Sequence, residues 1–314
     1  MGYETMALGS FLSYVSEISQ DILYIIYLIF YGVYAFAVLP CKHWLLPLWL
    51  KPVDNEIILI LGHQNPLMTE ICQRLCSKAK KLVVWTDLES ECDSVSSFPN
   101  EGVLKNVQFD ERESLEEAAD QLENEVGTPT IVINTLNSYC PKPGKLLCQS
   151  NDETMKIMQI NLTTNFWVAR KFLPKMIEMN KGHFVQISNF PRISWGVTNC
   201  VPYIGSLCGT VGFVQSLRDS IKHHMDGANI KFTTVNHYLP RMKDFSKKES
   251  TKSNLAIRLQ NITDSELAER IITGFRRNKE NVYVPCSFGI ILWLENFLPL
   301  QFIQKLQMYF VTEA

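Results

Sequence analysis

Short apolar segments alternate with amphipathic helical segments along most of the chain after Pro52, and this alternation limits the folds open to it. The first of these segments, Glu56–Leu61, is a short apolar run bounded by turn residues, as is typical of a buried strand in a parallel sheet. The predicted strands are Glu56–Leu61, Leu82–Trp85, Asn106–Phe109, Thr130–Ile133, His183–Ile187, Ile230–Val235 and Val282–Val284. The predicted helices are Leu67–Lys78, Ser114–Val126, Met155–Met179, Tyr203–His223 and Ser265–Arg276. This order predicts βαβ units and an α/β fold with a doubly wound parallel sheet.

An uncharged apolar run, residues 22–39, lies close to the N-terminus. Its length is at the short end for a helix that spans a bilayer. Acidic residues precede the run, and Lys42 and Lys51 follow it, which favours a body on the cytosolic side. We therefore predict a hydrophobic anchor region over residues 1–52 and a second domain over residues 53–314. A single span, a hairpin that turns at Pro40 and a buried core helix all stay open.

Charge and cysteine content argue against two classes of function. The chain has 30 Lys and Arg residues against 32 Asp and Glu residues, so its net charge of −2 does not suit a protein that binds nucleic acid through phosphates. The nine cysteines include no CxxC pair, so the sequence predicts no metal site and no disulfide framework.

Polar and glycine residues follow several predicted strands. In a doubly wound sheet, ligands bind at the carboxyl ends of the strands, with phosphates at the start of the first helix. The candidate site positions lie at or after the predicted strands and in two of the predicted helices. They are Leu61-Gly62 at the first strand, Thr86-Asp87 after the second, Asp110 after the third, Ile133-Asn134-Thr135-Leu136 at the fourth, Asn161 in the long helix, Ser188-Asn189 after the fifth strand, and Tyr203 with Leu207 in the next helix.

The order and spacing of these positions resemble the short-chain dehydrogenase/reductase superfamily over roughly residues 53–310. The stretches NFWVARKFLPKM, KGHFVQIS and VYVPCSFGIILWLENFLPLQF are similar to the membrane- and lipid-droplet-associated branch of hydroxysteroid and retinol dehydrogenases, which also begins with an apolar anchor. The resemblance implies a Rossmann-like fold and NAD or NADP as cofactor. It also implies a catalytic set of Tyr203, Asn161 and Ser188, and a cofactor-binding set of Gly62, Asp87, Asp110 and Asn134.

The phosphate turn departs from the family pattern. Where the family has Thr-Gly-x-x-x-Gly-x-Gly, this chain keeps Gly62 and carries Leu61, Pro66 and Met68 at the other positions. In the family, the second glycine lets the backbone approach the pyrophosphate and the third lets the helix pack close to the strand. Asn65 and Pro66 still suit the N-cap and first position of a helix. We therefore predict that the helix forms and that NAD and NADP bind weakly or not at all.

The catalytic set is incomplete, because Leu207 stands where the family has the lysine of Tyr-x-x-x-Lys. This spacing places the two side chains on one helix face. The tyrosine is the general acid or base, with an unperturbed pKa near 10, and the ammonium lowers that pKa. A leucine supplies neither the charge nor a hydrogen bond to the nicotinamide ribose. The family's serine corresponds to Asn189, or to Ser188 after a shift of one residue.

Three functions stay open. The first, favoured by losses at separate motifs, is a protein without turnover that acts at the surface of the endoplasmic reticulum or a lipid droplet, with its body in the cytosol. The second is an active NAD- or NADP-dependent oxidoreductase on a lipophilic alcohol or ketone, such as a sterol, retinoid or fatty alcohol. The third is a lipid-binding module without chemistry. The expected partners are the lipid surface, a lipophilic small molecule and a second copy in a homodimer.

Overall fold

A computed structural model describes residues 19–34, 50–87, 102–136, 146–188, 201–225, 228–237 and 262–284, together with 286, 298–299 and 301–302. The chain divides into two compact units, residues 1–50 and residues 51–314.

The N-terminal unit contains a helix over residues 19–34. Four tyrosine rings contact one another in sequence along one side of this helix, with neighbouring ring centroids 6.0–6.5 Å apart at Tyr24, Tyr27, Tyr31 and Tyr34. The isoleucine, leucine and phenylalanine side chains of the same helix are exposed. Among the described residues, no helix combines the length and the apolar character needed to cross a membrane.

Within the described ranges of the second unit, seven parallel strands form one sheet in the order β3-β2-β1-β4-β5-β6-β7. The strands are β1 (Ile57–Leu61), β2 (Lys81–Thr86), β3 (Gly102–Asn106), β4 (Ile131–Asn134), β5 (Gly182–Ser188), β6 (Ile230–His237) and β7 (Asn281–Val284). The chain order reverses between β1 and β4, as in a doubly wound fold. The predicted doubly wound parallel sheet is therefore confirmed.

In the part of the second unit that the structure describes, six α-helices accompany this sheet. They are α1 (Pro66–Cys76), α2 (Arg112–Glu125), α3 (Asn151–Met158), α4 (Thr164–Glu178), α5 (Val201–His224) and α6 (Asp264–Arg276). The core on one face joins strand residues to α1 and α6, and the core on the other joins them to α2, α4 and α5. Local signals set several helix starts: Thr263 caps α6 by accepting from the Glu266 N–H, and Ser150 and Glu153 form a capping box at α3.

The third strand lies earlier in the chain than predicted. It spans Gly102–Asn106 and pairs with β2, whereas the sequence prediction was Asn106–Phe109. Val107 and Phe109 are buried and alternate with a polar residue, as in a strand, but they belong to the segment after β3 and pack in the core that includes α2, α4 and α5. The edge strand itself exposes Val103 and Leu104, so it lacks the apolar pattern of a strand covered on both faces.

The predicted long helix Met155–Met179 is interrupted. It begins at Asn151 and changes to one turn of π-helix over Gln159–Thr163 before α4. The Thr164 hydroxyl donates to the Gln159 carbonyl oxygen at 3.0 Å and to the Phe109 carbonyl oxygen at 2.7 Å. Single π turns inside α-helices are frequent at functional sites, and this one contains Asn161.

Candidate functional site

The carboxyl ends of β1, β4 and β5 meet at one edge of the sheet. Leu61 is in register with Asn134, and Asn134 with Gln186, while Ser188 at the end of β5 is in register with Asn236. The predicted site residues lie at this edge or in the segments that follow the strands. This edge is where a doubly wound sheet places its ligand.

Gly62 is required by a close approach of two chain segments. The Gly62 N–H donates to the Trp85 carbonyl oxygen at 3.1 Å, and the Thr135 N–H donates to the Leu61 carbonyl oxygen at 2.8 Å. A Cβ atom on Gly62 would lie 1.8 Å from the Thr135 hydroxyl oxygen and 3.3 Å from the Thr135 carbonyl carbon. Gly62 therefore holds the segment after β4 against the end of β1, which is a structural role.

Replacing this glycine tests that role. We expect Gly62→Ala to lower the free energy of unfolding by about 1–3 kcal/mol or more, because the added methyl group overlaps Thr135. Urea denaturation measures this loss. Gly205→Ala is the control, because among the described residues no atom outside its own stretch of helix lies within 4 Å of a Cβ there, and it should be neutral or stabilise by up to about 1 kcal/mol. Adding Thr135→Ala should recover part of the Gly62→Ala loss. Equal effects of the two glycine variants would contradict this account.

The start of α1 satisfies its own backbone groups. Asn65 is the N-cap, as the sequence predicted, and its side-chain oxygen accepts from the Met68 N–H at 2.8 Å. Pro66 at the first helical position has no N–H to offer. The Met68 side chain is buried in the core between α1 and the sheet. The helix forms, but two of the amides that would face a phosphate at its start are engaged or missing.

The side chain of His63 contacts Asp87, the residue at the position where the family binds the adenosine ribose. His63 follows β1, Asp87 follows the neighbouring β2, and the His63 Nδ1 atom lies 2.7 Å and 2.9 Å from the two carboxylate oxygens of Asp87. Both side chains are largely shielded, at 16% and 21% exposure. The imidazole also meets the ring of Phe109 edge-on, with centroids 6.0 Å apart. The pair therefore bridges the turn after β1 and the end of β2, where the family resemblance would place the adenosine ribose.

Asp110 lies four residues beyond the end of β3, in the segment before α2, and not at a strand end as predicted. Its carboxylate forms an ion pair with Lys156 at 3.3 Å, and its carbonyl oxygen accepts from the Gln159 side chain at 2.5 Å. Asp110 thus ties the segment before α2 to α3 and the π turn.

Asn134 is fully buried and hydrogen-bonded on both sides of its amide group. Its oxygen accepts from the Leu136 N–H at 2.9 Å, and its nitrogen donates to the Asn165 side-chain oxygen. The Asn165 nitrogen donates in turn to the Asn161 carbonyl oxygen at 2.7 Å. Asn134 therefore links the end of β4 to the π turn.

The structure joins the predicted catalytic residues Asn161 and Tyr203 through Ser206. The Asn161 side-chain nitrogen donates to the Ser206 hydroxyl at 3.2 Å, and that hydroxyl donates to the Tyr203 carbonyl oxygen at 2.6 Å. Thr210 donates to the Asn161 carbonyl oxygen at 2.9 Å. Asn161 is thereby fixed against the first turns of α5, while Tyr203 is 7% exposed.

Ser188 lies buried at the end of β5. Side chains alternate between faces along a strand, so Ser188 shares a face with Phe184, which belongs to the core that includes α5. Ser188 and Tyr203 therefore belong to the same side of the sheet. Asn189, the other candidate for the family's serine, lies outside the described residues.

Leu207 lies one turn after Tyr203 on α5 and is 1% exposed. The position where the family places an ammonium is thus occupied by a buried aliphatic side chain. The group retains a tyrosine, a serine and an asparagine, but this position offers no charge to lower the tyrosine pKa.

Sequence reasoning missed His63 and Asn165 as parts of this site. The signal for His63 was its place two residues after β1, because Asp87 follows the adjacent strand and parallel strands end at the same edge. For Asn165 the signal was its spacing of four residues from Asn161, which puts both on one helix face.

Comparison with known proteins agrees with this geometry. The family model described as short chain dehydrogenase matches residues 56–243. The human 17-beta-hydroxysteroid dehydrogenase 13 is 27% identical over 257 residues, covering 79% of this chain and 81% of the relative. The human epidermal retinol dehydrogenase 2 is 27% identical over 264 residues, covering 82% of each chain.

Solved structures share the fold. LigO from Sphingobium sp. strain SYK-6, in its apo form, has a TM-score of 0.62 at 15% identity, covering 82% of this chain and 91% of its own. A variant of actinorhodin polyketide ketoreductase with NADPH has a TM-score of 0.59 at 17% identity, covering 74% of this chain and 97% of its own.

Proposed function

The chain belongs to the short chain dehydrogenase family, and we propose that it is a member without turnover that acts at a lipid surface. Its similarity to hydroxysteroid and retinol dehydrogenases supplies the starting point. The resemblance found in the sequence is confirmed at this level. The rest of the proposal is supported by two departures from the family pattern. One is Leu207 on α5, and the other is at the carboxyl edge of the sheet around Gly62, Asp87 and Asn134, which we call the cofactor edge.

The main evidence for the loss of turnover is the buried Leu207 at the position of the family's lysine. A free tyrosine has a pKa near 10, so only about one in a thousand is phenolate at pH 7. A cation within about 4–6 Å would raise that fraction. Leu207 gives Tyr203 an apolar neighbour one turn away, and burial of this helix face excludes water that would otherwise solvate a phenolate. Tyr203 is therefore poorly suited to exchange a proton with a substrate hydroxyl at neutral pH.

The residues at the cofactor edge fit NAD or NADP poorly. Asp87 is bound to His63, and Asn134 is hydrogen-bonded to Leu136 and Asn165. Pro66 provides no N–H for a pyrophosphate. A dinucleotide would have to displace the His63–Asp87 pair to reach Asp87 with its ribose. We infer weak or absent binding of either cofactor.

The lipid surface is proposed from the N-terminal region. The uncharged run over residues 22–39 is followed by tryptophans and lysines, a composition suited to the endoplasmic reticulum membrane or a lipid-droplet monolayer with the body in the cytosol. The helix over 19–34 exposes apolar side chains beside its row of four tyrosines. Amphipathic tyrosine rings suit headgroup depth.

Direct cofactor binding tests the loss of turnover. We expect NAD, NADH, NADP and NADPH at about 0.1 mM each to leave the melting temperature of the full-length protein unchanged within about 1 °C. A ligand at 100 times its dissociation constant would add about 2.7 kcal/mol and several degrees. The actinorhodin ketoreductase, whose structure holds NADPH, is the positive control. A saturable shift at micromolar cofactor would contradict the proposal.

Removing the N-terminal region tests the lipid surface. We expect deletion of residues 1–49 to release the protein from membranes and to leave its melting temperature within about 2 °C of the full chain. The cut precedes Lys51 because the Lys51 N–H donates to the Arg276 carbonyl oxygen and the Arg276 side chain donates to the Lys51 carbonyl oxygen, each at 2.8 Å. Deletion of residues 1–52 removes these bonds and is the comparison variant, expected to be less stable. A deleted protein that stays membrane-bound in fractionation would place the anchor elsewhere.

An active oxidoreductase on a lipophilic alcohol or ketone is the second candidate. The hydrogen bonds from Asn161 through Ser206 to the Tyr203 backbone, and Ser188 on the same side of the sheet, favour it. Turnover of sterols, retinoids or fatty alcohols by the unmodified protein, abolished in Tyr203→Phe, would establish this candidate in place of the first.

A further inference from the structure

We propose that a cavity between α2 and α4 binds a small organic acid with one carboxylate and an apolar body. None of the predicted catalytic or cofactor-binding residues lines this cavity. The cavity has a volume of about 210 Å³. That is room for roughly seven water molecules at about 30 Å³ each, and less than the pockets that hold drug-sized ligands. Its occupant is therefore a small molecule or the end of a longer one.

The base of the cavity is apolar and aromatic. Trp85 of β2 and Phe172 of α4 lie there, with ring centroids 5.9 Å apart, beside Leu115 of α2. These three side chains are 1–4% exposed. Such a surface favours a flat aromatic or short aliphatic body over a polar one.

A hydrogen-bond donor is left over at this base. The Trp85 indole nitrogen is buried and has no acceptor in the part of the chain that the structure describes. A buried donor without an acceptor destabilises the folded protein, because it has given up its hydrogen bond to water. A ligand that brings an oxygen to this N–H would remove that cost, so the tryptophan adds a polar preference to an otherwise apolar base.

The rim of the cavity carries an excess of positive charge. Arg112 pairs with Glu116 at 2.7 Å, and Lys171 pairs with Asp120 at 2.5 Å. Arg170 also lines the rim, and within the described ranges no carboxylate pairs with it. After the two ion pairs are counted, one cation remains, which matches a ligand with a single negative charge. Glu116 at the same rim disfavours a dianion such as a phosphate monoester.

The net positive rim and the apolar base together fit a carboxylic acid whose carboxylate contacts Arg170 while its apolar body contacts Trp85 and Phe172. 3-Phenylpropionate is a suitable probe, and 3-phenyl-1-propanol is its uncharged counterpart with the same ring and chain. The reporter is the indole N–H signal of Trp85 in full-length protein labelled with ¹⁵N-tryptophan. Trp85→Phe identifies that signal among the six tryptophans.

The proposal predicts a saturable shift of the Trp85 signal with a dissociation constant below about 1 mM for the acid. Arg170→Gln should weaken acid binding by about 3- to 10-fold and leave the affinity for the alcohol unchanged. Arg170→Lys should recover part of the loss. Lys78→Gln, which removes an exposed cation on the other side of the sheet, is the matched control and should change neither affinity.

Two results would overturn the proposal. One is the absence of a shift at Trp85 up to about 10 mM acid, a concentration about ten times the highest dissociation constant that the proposal allows. The other is equal affinity of the unmodified protein and Arg170→Gln for the acid. Calorimetric titration of the Arg170 variants gives the same comparison without an assigned signal, so the test holds even where Trp85→Phe fails to fold. None of the predicted catalytic or cofactor-binding residues lines this cavity, and the test does not depend on whether the protein has turnover.

Discussion

Leu207→Lys is expected to lower the free energy of unfolding by about 3–5 kcal/mol at pH 7 and to leave the protein without turnover. Leu207 is 1% exposed, so the substitution places an ammonium in an apolar site. An uncompensated buried charge typically costs this much, unless the lysine gives up its proton. Because burial lowers the pKa of such a lysine, the loss should shrink as the pH rises towards 10.

The missing activity has a separate cause. Even a charged lysine introduced at this position would act on Tyr203 alone, whereas the His63–Asp87 pair and the start of α1 would still oppose cofactor binding. Turnover is measured with retinoids, sterols and fatty alcohols, and stability with urea. Leu207→Met is the matched control, because it keeps the apolar volume and should cost less than about 1.5 kcal/mol. Robust dehydrogenase activity of Leu207→Lys would show that the cofactor edge is intact.

Acidification from pH 7 to pH 5 is expected to lower the free energy of unfolding by about 4 kcal/mol. Burial lowers the pKa of His183 to about 3, with Lys51 and Lys231 adding to the effect, and burial lowers the pKa of His237 to about 4. Both side chains are fully buried. His183 packs edge-on to Phe275 with ring centroids 5.8 Å apart, and its Nε2 atom lies 2.8 Å from the Thr233 hydroxyl.

The direction follows from proton counting. Below about pH 6.5 the unfolded chain binds a proton at each of these two histidines. In the folded chain neither binds a proton until the pH falls to about 4 for His237 and about 3 for His183. Stability is therefore greatest above pH 6.5 and falls by about 1.4 kcal/mol per pH unit for each histidine. Above pH 5 most carboxylates are still ionised, so this window isolates the histidines.

Urea denaturation at a series of pH values measures the slope. His183→Gln and His237→Gln should each remove about half of it, and the double variant should be nearly flat between pH 7 and pH 5. Comparing slopes rather than midpoints separates the proton effect from the packing change that each variant brings. A slope that persists in the double variant would assign the acid sensitivity to other groups.

Local signals in the sequence were enough for some features of this structure. Asn65 and Pro66 determine the start of α1 because a cap and a fixed backbone angle act within one turn. The apolar run Ile57–Leu61 identified β1 because a short apolar segment between turn residues is typical of a buried parallel strand. The position of Leu207 relative to Tyr203 also follows from helix geometry alone.

Other features depend on which segments become neighbours. The His63–Asp87 pair requires β1 and β2 to be adjacent, and the contact of Thr135 with Gly62 requires β1 and β4 to end together. The π turn at Gln159–Thr163 is stabilised by bonds to Phe109 and Asp110 from an earlier segment. The prediction of the third strand was wrong because Val107 and Phe109, which are buried in the core on one face, alternate with a polar residue as strand residues do.

The strand order also constrains how the chain can fold as it leaves the ribosome. β1 pairs with β2 on one side but with β4 on the other, and Ile57 meets Thr130 across 73 residues of sequence. At about 5–20 residues per second, synthesis of that interval takes roughly 4–15 seconds. During this time one edge of an apolar strand has no partner, and because every pairing in the sheet is parallel, no hairpin can cover it early. The nascent chain therefore needs protection from aggregation until β4 has emerged.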